Sequence, residues 1–180
     1  MSNPPDKVWA KAEELLSCLE TALSKYQAHA CRTFVAPGNP PAWDVCCDCG
    51  IGDGQAWVQI ANVFPTDNFP QAQTGAMRCV PAGQGVLFNV GILRCAAVLD
   101  DQGRPPSSER LTADARKVQR DRAIVREAIR CCFLEDADPG TFVLGTFTPL
   151  GPQGACVGGI TPVTVAVDAC ACGDVWADGQ

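Results

Sequence analysis

Val86-Leu87-Phe88-Asn89-Val90-Gly91-Ile92-Leu93-Arg94-Cys95-Ala96-Ala97-Val98-Leu99 is the longest nearly unbroken apolar run in the chain. Read as a strand, it sends Val86, Phe88, Val90 and Ile92 to one face and Leu87 and Leu93 to the other. A strand that is apolar on both faces is central and covered on both sides. Gly91 leaves a gap in the side-chain row, which suits a bulge or the close passage of a helix. β-Branched and aromatic content and the flanking Gly83 and Gly85 favour strand over buried helix. Asp100-Asp101-Gln102-Gly103 then turns the chain into its longest helix.

That helix runs from about Ser107 to Phe133, opened by Pro105-Pro106 and capped by Ser107 or Ser108. Leu111, Ala115, Val118, Val125, Ile129 and Cys132 mark one face, interrupted by Arg122. An earlier amphipathic helix follows Pro4-Pro5-Asp6, with Val8, Ala12, Leu15, Leu19, Ala22 and Tyr26 in its stripe. Between the helices, Cys31–Val35 and Ala56–Phe64 read as strands, separated by a Cys-, Asp- and Gly-rich loop from Trp43 to Gly54. Pro65 to Gly85 reads as a long polar connection. After the second helix, Thr141–Thr148 and Thr161–Val167 read as strands, with Pro149–Gly154 a turn. The order α-β-β-β-α-β-β predicts an α+β fold, a mostly antiparallel sheet packed by two long helices. Residues 1–168 form one domain on this reading, and 169–180 an acidic, Cys-containing tail.

Composition agrees with one globular domain: 180 residues, 47% hydrophobic and 19% charged,. Met1–Lys7 has no basic start leading into an apolar segment, so no secretory signal is expected. No run approaches membrane-spanning length. Twelve cysteines sit awkwardly with a reducing cytoplasm, although a particle released from the cell could oxidise them. Cys18, Cys95 and Cys132 fall in apolar patterns and read as small core residues.

Catalytic patterns are scarce. His29 is the only histidine; it and Cys31, so near each other in a short strand, are not expected to face one another, and no orienting third group is evident. Gly50–Gly54 lacks the lysine and helix of a phosphate loop. Cys46 and Cys49 with Cys170 and Cys172 could supply four thiolates to zinc, but the second Cys-x-x-Cys knuckle is missing. The competing expectation is a disulfide among Cys31, Cys46, Cys47 and Cys49. It would close a loop of about 15 residues, worth about 3 kcal/mol.

Charge is more informative. Arg104 to Arg130 holds eight basic and four acidic residues, whereas no Lys or Arg follows Arg130. Overall charge of −6 and missing aromatic interleaving weaken a nucleic-acid reading,. Opposite surfaces of opposite sign favour head-to-tail contacts between identical subunits, which close into rings. Arg116, Lys117 and Arg120 are the expected interface residues.

Three stretches carry a resemblance. They are Asn89-Val-Gly-Ile-Leu-Arg-Cys-Ala-Ala-Val-Leu-Asp-Asp-Gln-Gly-Arg-Pro-Pro106, Arg122-Ala-Ile-Val-Arg-Glu-Ala-Ile-Arg-Cys-Cys132 and Thr148-Pro-Leu-Gly-Pro-Gln-Gly-Ala-Cys-Val-Gly-Gly159. With Ala42-Trp43-Asp44 and Gln55-Ala-Trp57-Val58, they resemble head-to-tail connector proteins of long-tailed actinobacterial phages. Over residues 8–167 the chain is most similar to the tail-terminator type; a stopper or an adaptor is the alternative. The resemblance implies a non-enzymatic structural virion protein without a cofactor. It implies a homohexameric ring at the head–tail junction, assembled in the host bacterial cytoplasm. The ring would cap the tail tube, meet the head-completion or stopper protein, and let DNA pass only through its lumen. In such a ring the Pro65–Gly85 connection, with Asp67 and Phe69, would reach the tube or stopper. A zinc- or disulfide-stabilised binding module is the competing class.

Overall fold

The computed structural model describes residues 6–36, 53–73, 83–134 and 141–168. Helix α1 spans Lys7–Lys25. Strands β1 (Arg32–Ala36), β2 (Gln55–Thr66) and β3 (Gly83–Cys95) follow, then helix α2 (Ser108–Leu134). Strands β4 (Phe142–Leu144), β5 (Thr148–Gln153) and β6 (Cys156–Asp168) complete the order.

Asp6 starts α1 as an N-cap, its Oδ1 accepting from the amides of Val8 and Trp9 at 3.0 Å each,. The stripe seen in the sequence is the one that packs: Ala12, Leu15, Leu19, Ala22 and Leu23 are buried. One six-stranded sheet has the order β1-β2-β3-β6-β4, with β5 also paired to β6. Only β1–β2 is parallel; the other pairings are antiparallel. β3 is central, running from Gly83↔Asp168 to Cys95↔Cys156 against β6.

Both helices lie on one face, α1 over β1 and β2, α2 over β3 and β6. There Val86, Phe88, Val90 and Ile92 meet Ala56, Val58, Val163, Val165 and Val167 under the two helices. Full burial of each Val, Ile or Phe side chain here contributes about 1.5–3 kcal/mol. The opposite face has its own small cluster of Ala36, Trp57, Leu93 and Cys156, edged by Phe34, Leu150 and Ile160. The α+β class and the mostly antiparallel sheet under two helices agree with the sequence reading.

Several details differ from it. The Thr141–Thr148 strand is two strands, and the expected turn at Pro149–Gly154 is mostly β5, folded onto β6 through Gly154 and Ala155. Gly154 and Ala155 both have positive φ, so the reversal sits one or two residues later than the prolines suggested,. The closing strand therefore begins at Cys156, not Thr161. The central strand stops at Cys95, leaving Val98 and Leu99 exposed. Gly91 accommodates neither bulge nor helix: a Cβ there would lie 2.3 Å from the Trp57 ring, which crosses it from β2. The register shift falls at Ile60/Asn62 instead. On α2, Leu111 is 53% exposed and Ala115 is exposed, while Asp121, Ile124 and Ala128 are buried. Val118, Val125, Ile129 and Cys132 are buried as the stripe requires; the buried face is wider than read, because Asp121 pairs with Arg94 beneath the helix.

The cysteines also differ from the sequence reading. Cys18 and Cys132 are bonded to each other, their Cα atoms 5.7 Å apart, and Cys95 is disulfide-bonded as well. An apolar helix position facing another helix buries a cysteine and, equally, brings it within bridging distance. The pattern that marked them as core could not separate the two outcomes.

Candidate functional site

Arg94 is the one charged residue in the apolar run, and it is 2% exposed. Its Nε donates to Asp121 Oδ2 at 2.7 Å and its Nη2 to Asp121 Oδ1 at 3.2 Å. Nη2 also donates to the Ala28 carbonyl at 2.8 Å. Nη1 donates to the carbonyls of His29, at 2.9 Å, and Asp53. All five guanidinium N–H groups thus have an acceptor, which offsets the desolvation of a buried charge. A saturated guanidinium has no donor left for a ligand. Its work is to join β3, α2, the α1–β1 connection and the start of β2.

A second ring of contacts continues outward. Asp53 accepts from the Cys95 amide at 3.2 Å and pairs with Lys117 at 3.4 Å. Asp114 accepts from the Ala97 amide at 2.8 Å and lies 3.8 Å from Lys117. The chain leaving β3 is therefore tied to the first turns of α2, and those turns hold a fixed surface. Gly54, with φ +82°, makes the arrangement possible: a Cβ there would stand 1.8 Å from the Leu93 carbonyl oxygen,.

That surface is basic and partly apolar. Arg116 and Arg120 are exposed as expected, whereas Lys117 is turned toward Asp53 and Asp114. Arg122, Arg126 and Arg130 follow at four-residue steps and line a shallow hollow of about 460 Å³ with Ala123, Glu127 and Cys131. Among the described residues, Arg116, Arg126 and Arg130 have no ion-pair partner. Val98, Leu99 and Leu111, 56%, 61% and 53% exposed, lie at the β3–α2 connection and the first α2 turn.

Asp67 and Phe69 stand at the other end of β3. They line a cavity of about 860 Å³ with Lys7, Lys11 and Glu14 of α1 and with Thr66, Thr141 and Val167. Phe69 is half-buried and Asp67 exposed. Asn68 and Gln71 form a β-bridge, so part of the Pro65–Gly85 connection is a compact turn. The structure brings Asp67 and Phe69 together but leaves them remote from Arg116 and Arg120.

Other candidates divide clearly. Cys31 is disulfide-bonded, so no thiol stands beside His29, whose side chain is exposed. Cys46, Cys47, Cys49, Cys170 and Cys172 lie outside the described residues, and with them both the zinc set and the pairing around Cys31. Among the described residues, no three His, Cys, Asp or Glu side chains are grouped to hold a metal ion. No helix among them is long and apolar enough to cross a membrane.

Where α1 meets the end of α2, Glu127 accepts from Lys25 Nζ at 2.7 Å and from the Tyr26 hydroxyl. The Lys25 bond, then the Tyr26 bond, hold the Glu127 carboxyl below its ordinary range. The bond to Glu127 likewise raises the pKa of Lys25 and of Tyr26.

Sequence reasoning missed the Arg94–Asp121–Asp53–Asp114 network. Its signal was a lone charge within the longest apolar run, which must be paired if buried. No protein-family model matches the chain, and a search of curated proteins finds no match.

Proposed function

We propose that this protein is a structural component of a phage neck, a tail terminator that forms a ring, caps the tail tube and joins it to the head. It acts by assembly and carries no catalysis. The observation that carries the reading is the α2 surface. Arg116, Arg120, Arg126 and Arg130 face solvent on a helix anchored from beneath by Arg94, and Val98, Leu99 and Leu111 add exposed apolar area nearby. Charge steers an approaching partner, and desolvated apolar groups then hold it. Every charged residue after Arg130 is acidic, so a second copy is a suitable partner for a head-to-tail contact.

Native mass spectrometry and negative-stain microscopy test this. A closed assembly of six chains of 19.0 kDa, able to stop the growth of purified tail tubes, is the expected result. A chain that stays monomeric with tubes present, and leaves their length unchanged, would remove the reading. A disulfide-stabilised binding module is the second reading, favoured by the Cys18–Cys132 crosslink between the helices. It predicts a monomer that retains a single soluble partner.

A further inference from the structure

We propose that Cys131 is the exchange partner of the Cys18–Cys132 crosslink, so that the cavity between the two helices is a thiol–disulfide exchange site. Three sulfur-bearing residues meet there. Cys18 and Cys132 are bonded, and Cys131 is a free, exposed thiol. All three line one cavity of about 290 Å³, together with Lys25, Glu127 and Ala128.

Helix geometry explains why either α2 sulfur can serve Cys18. Residues four apart share a helix face, and neighbours point 100° apart. Cys131 lies one turn beyond Glu127, whose carboxylate holds Lys25 and Tyr26 of α1. Cys132 lies one turn beyond Ala128, which is 2% exposed. Helix α1 therefore spans both rows, with Cys18 facing the next turn of each.

In the exchange, the Cys131 thiolate attacks Sγ of Cys18. The Cys18–Cys131 bond forms as the Cys18–Cys132 bond breaks, and the electron pair leaves on Sγ of Cys132. That sulfur takes up a proton from water, replacing the one Cys131 gave up, so no oxidant or reductant is consumed. Attack on Sγ of Cys132 is disfavoured, because it would join neighbouring side chains that diverge around the helix. The two isomers differ in what they offer to solvent. With Cys132 bonded, the thiol is exposed at Cys131; with Cys131 bonded, it is withdrawn to Cys132, which is 7% exposed. An external disulfide or alkylating reagent would read the first state and miss the second.

Disulfide mapping without reduction tests the proposal on the full chain. In Cys132→Ser, refolded in a glutathione redox buffer, Cys18 should be recovered linked to Cys131 in most molecules. Recovery of Cys18 and Cys131 as separate alkylated thiols, with the helical circular dichroism intact, would overturn it. A second measurement uses the wild-type protein and needs no variant to fold. After hours at pH 8.5 under native conditions, acid quenching and alkylation in denaturant, the thiol of the Cys131–Cys132 pair should be found at both positions. The Cys132 fraction should appear faster as pH rises, since only the thiolate attacks. A free thiol confined to Cys131 at every pH would rule out exchange.

Discussion

The Arg94 guanidinium meets the Asp121 carboxylate side-on with two bonds, Nε to Oδ2 at 2.7 Å and Nη2 to Oδ1 at 3.2 Å, with both residues almost sealed from water. A paired interaction of this geometry is directional as well as strong, so it fixes the rotation of α2 about its own axis. The exposed arginines follow from that rotation. Turning Asp121 inward leaves Arg116 and Arg120 outward and places Arg122, Arg126 and Arg130 around the hollow.

Breaking the pair from one side should be costly. Arg94→Met leaves the Asp121 carboxylate buried without its partner, and a loss of about 3–5 kcal/mol is expected. Urea denaturation of the variant beside Arg94→Met/Asp121→Leu measures it. The double variant should recover part of the loss, since it leaves no uncompensated charge. Equal stability of wild type and single variant would mean that the pair is not buried in solution.

Gly91 should tolerate no side chain. A Cβ would stand 2.3 Å from the Trp57 ring, which is fully buried in the cluster with Ala36, Leu93 and Cys156. Gly91→Ala should cost about 1–3 kcal/mol as overpacking. It should also alter the near-ultraviolet circular dichroism, because the buried indole must shift. Gly103→Ala is a weaker control: its φ of +75° costs strain, but no atom lies within 4 Å of its Cβ position.

The α1–α2 contact at Glu127 should define a pH window. The carboxyl is depressed by Lys25 and Tyr26, so its contribution is present above about pH 4.5 and lost as pH falls through the lower folded value. Lys25 and Tyr26 are raised from 10.5 and 10.0. Their contribution is complete below those values and disappears as pH rises through the folded ones. Hydrogen exchange in the last turn of α1 should quicken at both extremes. Glu127→Gln should flatten the acid limb, and an unchanged acid limb would exclude this contact as its source.

Reversing charge at Arg116 and Arg120 together should leave a folded monomer and abolish rings. In the wild type, assembly should weaken as salt rises, because exposed charge pairs are screened within about 10 Å at 0.1 M salt. Sedimentation across a salt series reads both effects. Rings of the double variant that persist at high salt would mean that this face is solvated and carries no contact.

Phe69 offers a test at the opposite end of the sheet. It is half-buried beside Asp67 in the cavity at the start of α1, and an aromatic side chain so placed can anchor a partner. Phe69→Ala should let tail tubes grow beyond their normal length while leaving the subunit folded. Strong amide protection from Asp67 to Gln73 in the free subunit, unchanged by added tubes, would instead assign the turn to its own domain.

By itself, the sequence determined the elements whose period is set by burial on one face. The α1 stripe and the alternation Val86, Phe88, Val90, Ile92 follow from side-chain spacing alone, and both pack as that spacing requires,. Pairing partners were another matter. That β1 runs parallel to β2, and that Trp57 rather than a helix crosses Gly91, depend on contacts far apart in the chain. Local pattern carries no information about them. The candidate surface divides in the same way. Its basic composition was legible from Arg104 to Arg130, but which arginines face solvent was decided by a buried bond between residues 27 apart. Cys18, 114 residues before its partner, gives the same lesson. An apolar helical position is visible in sequence, and whether its sulfur meets a second one is fixed only when the two helices pack.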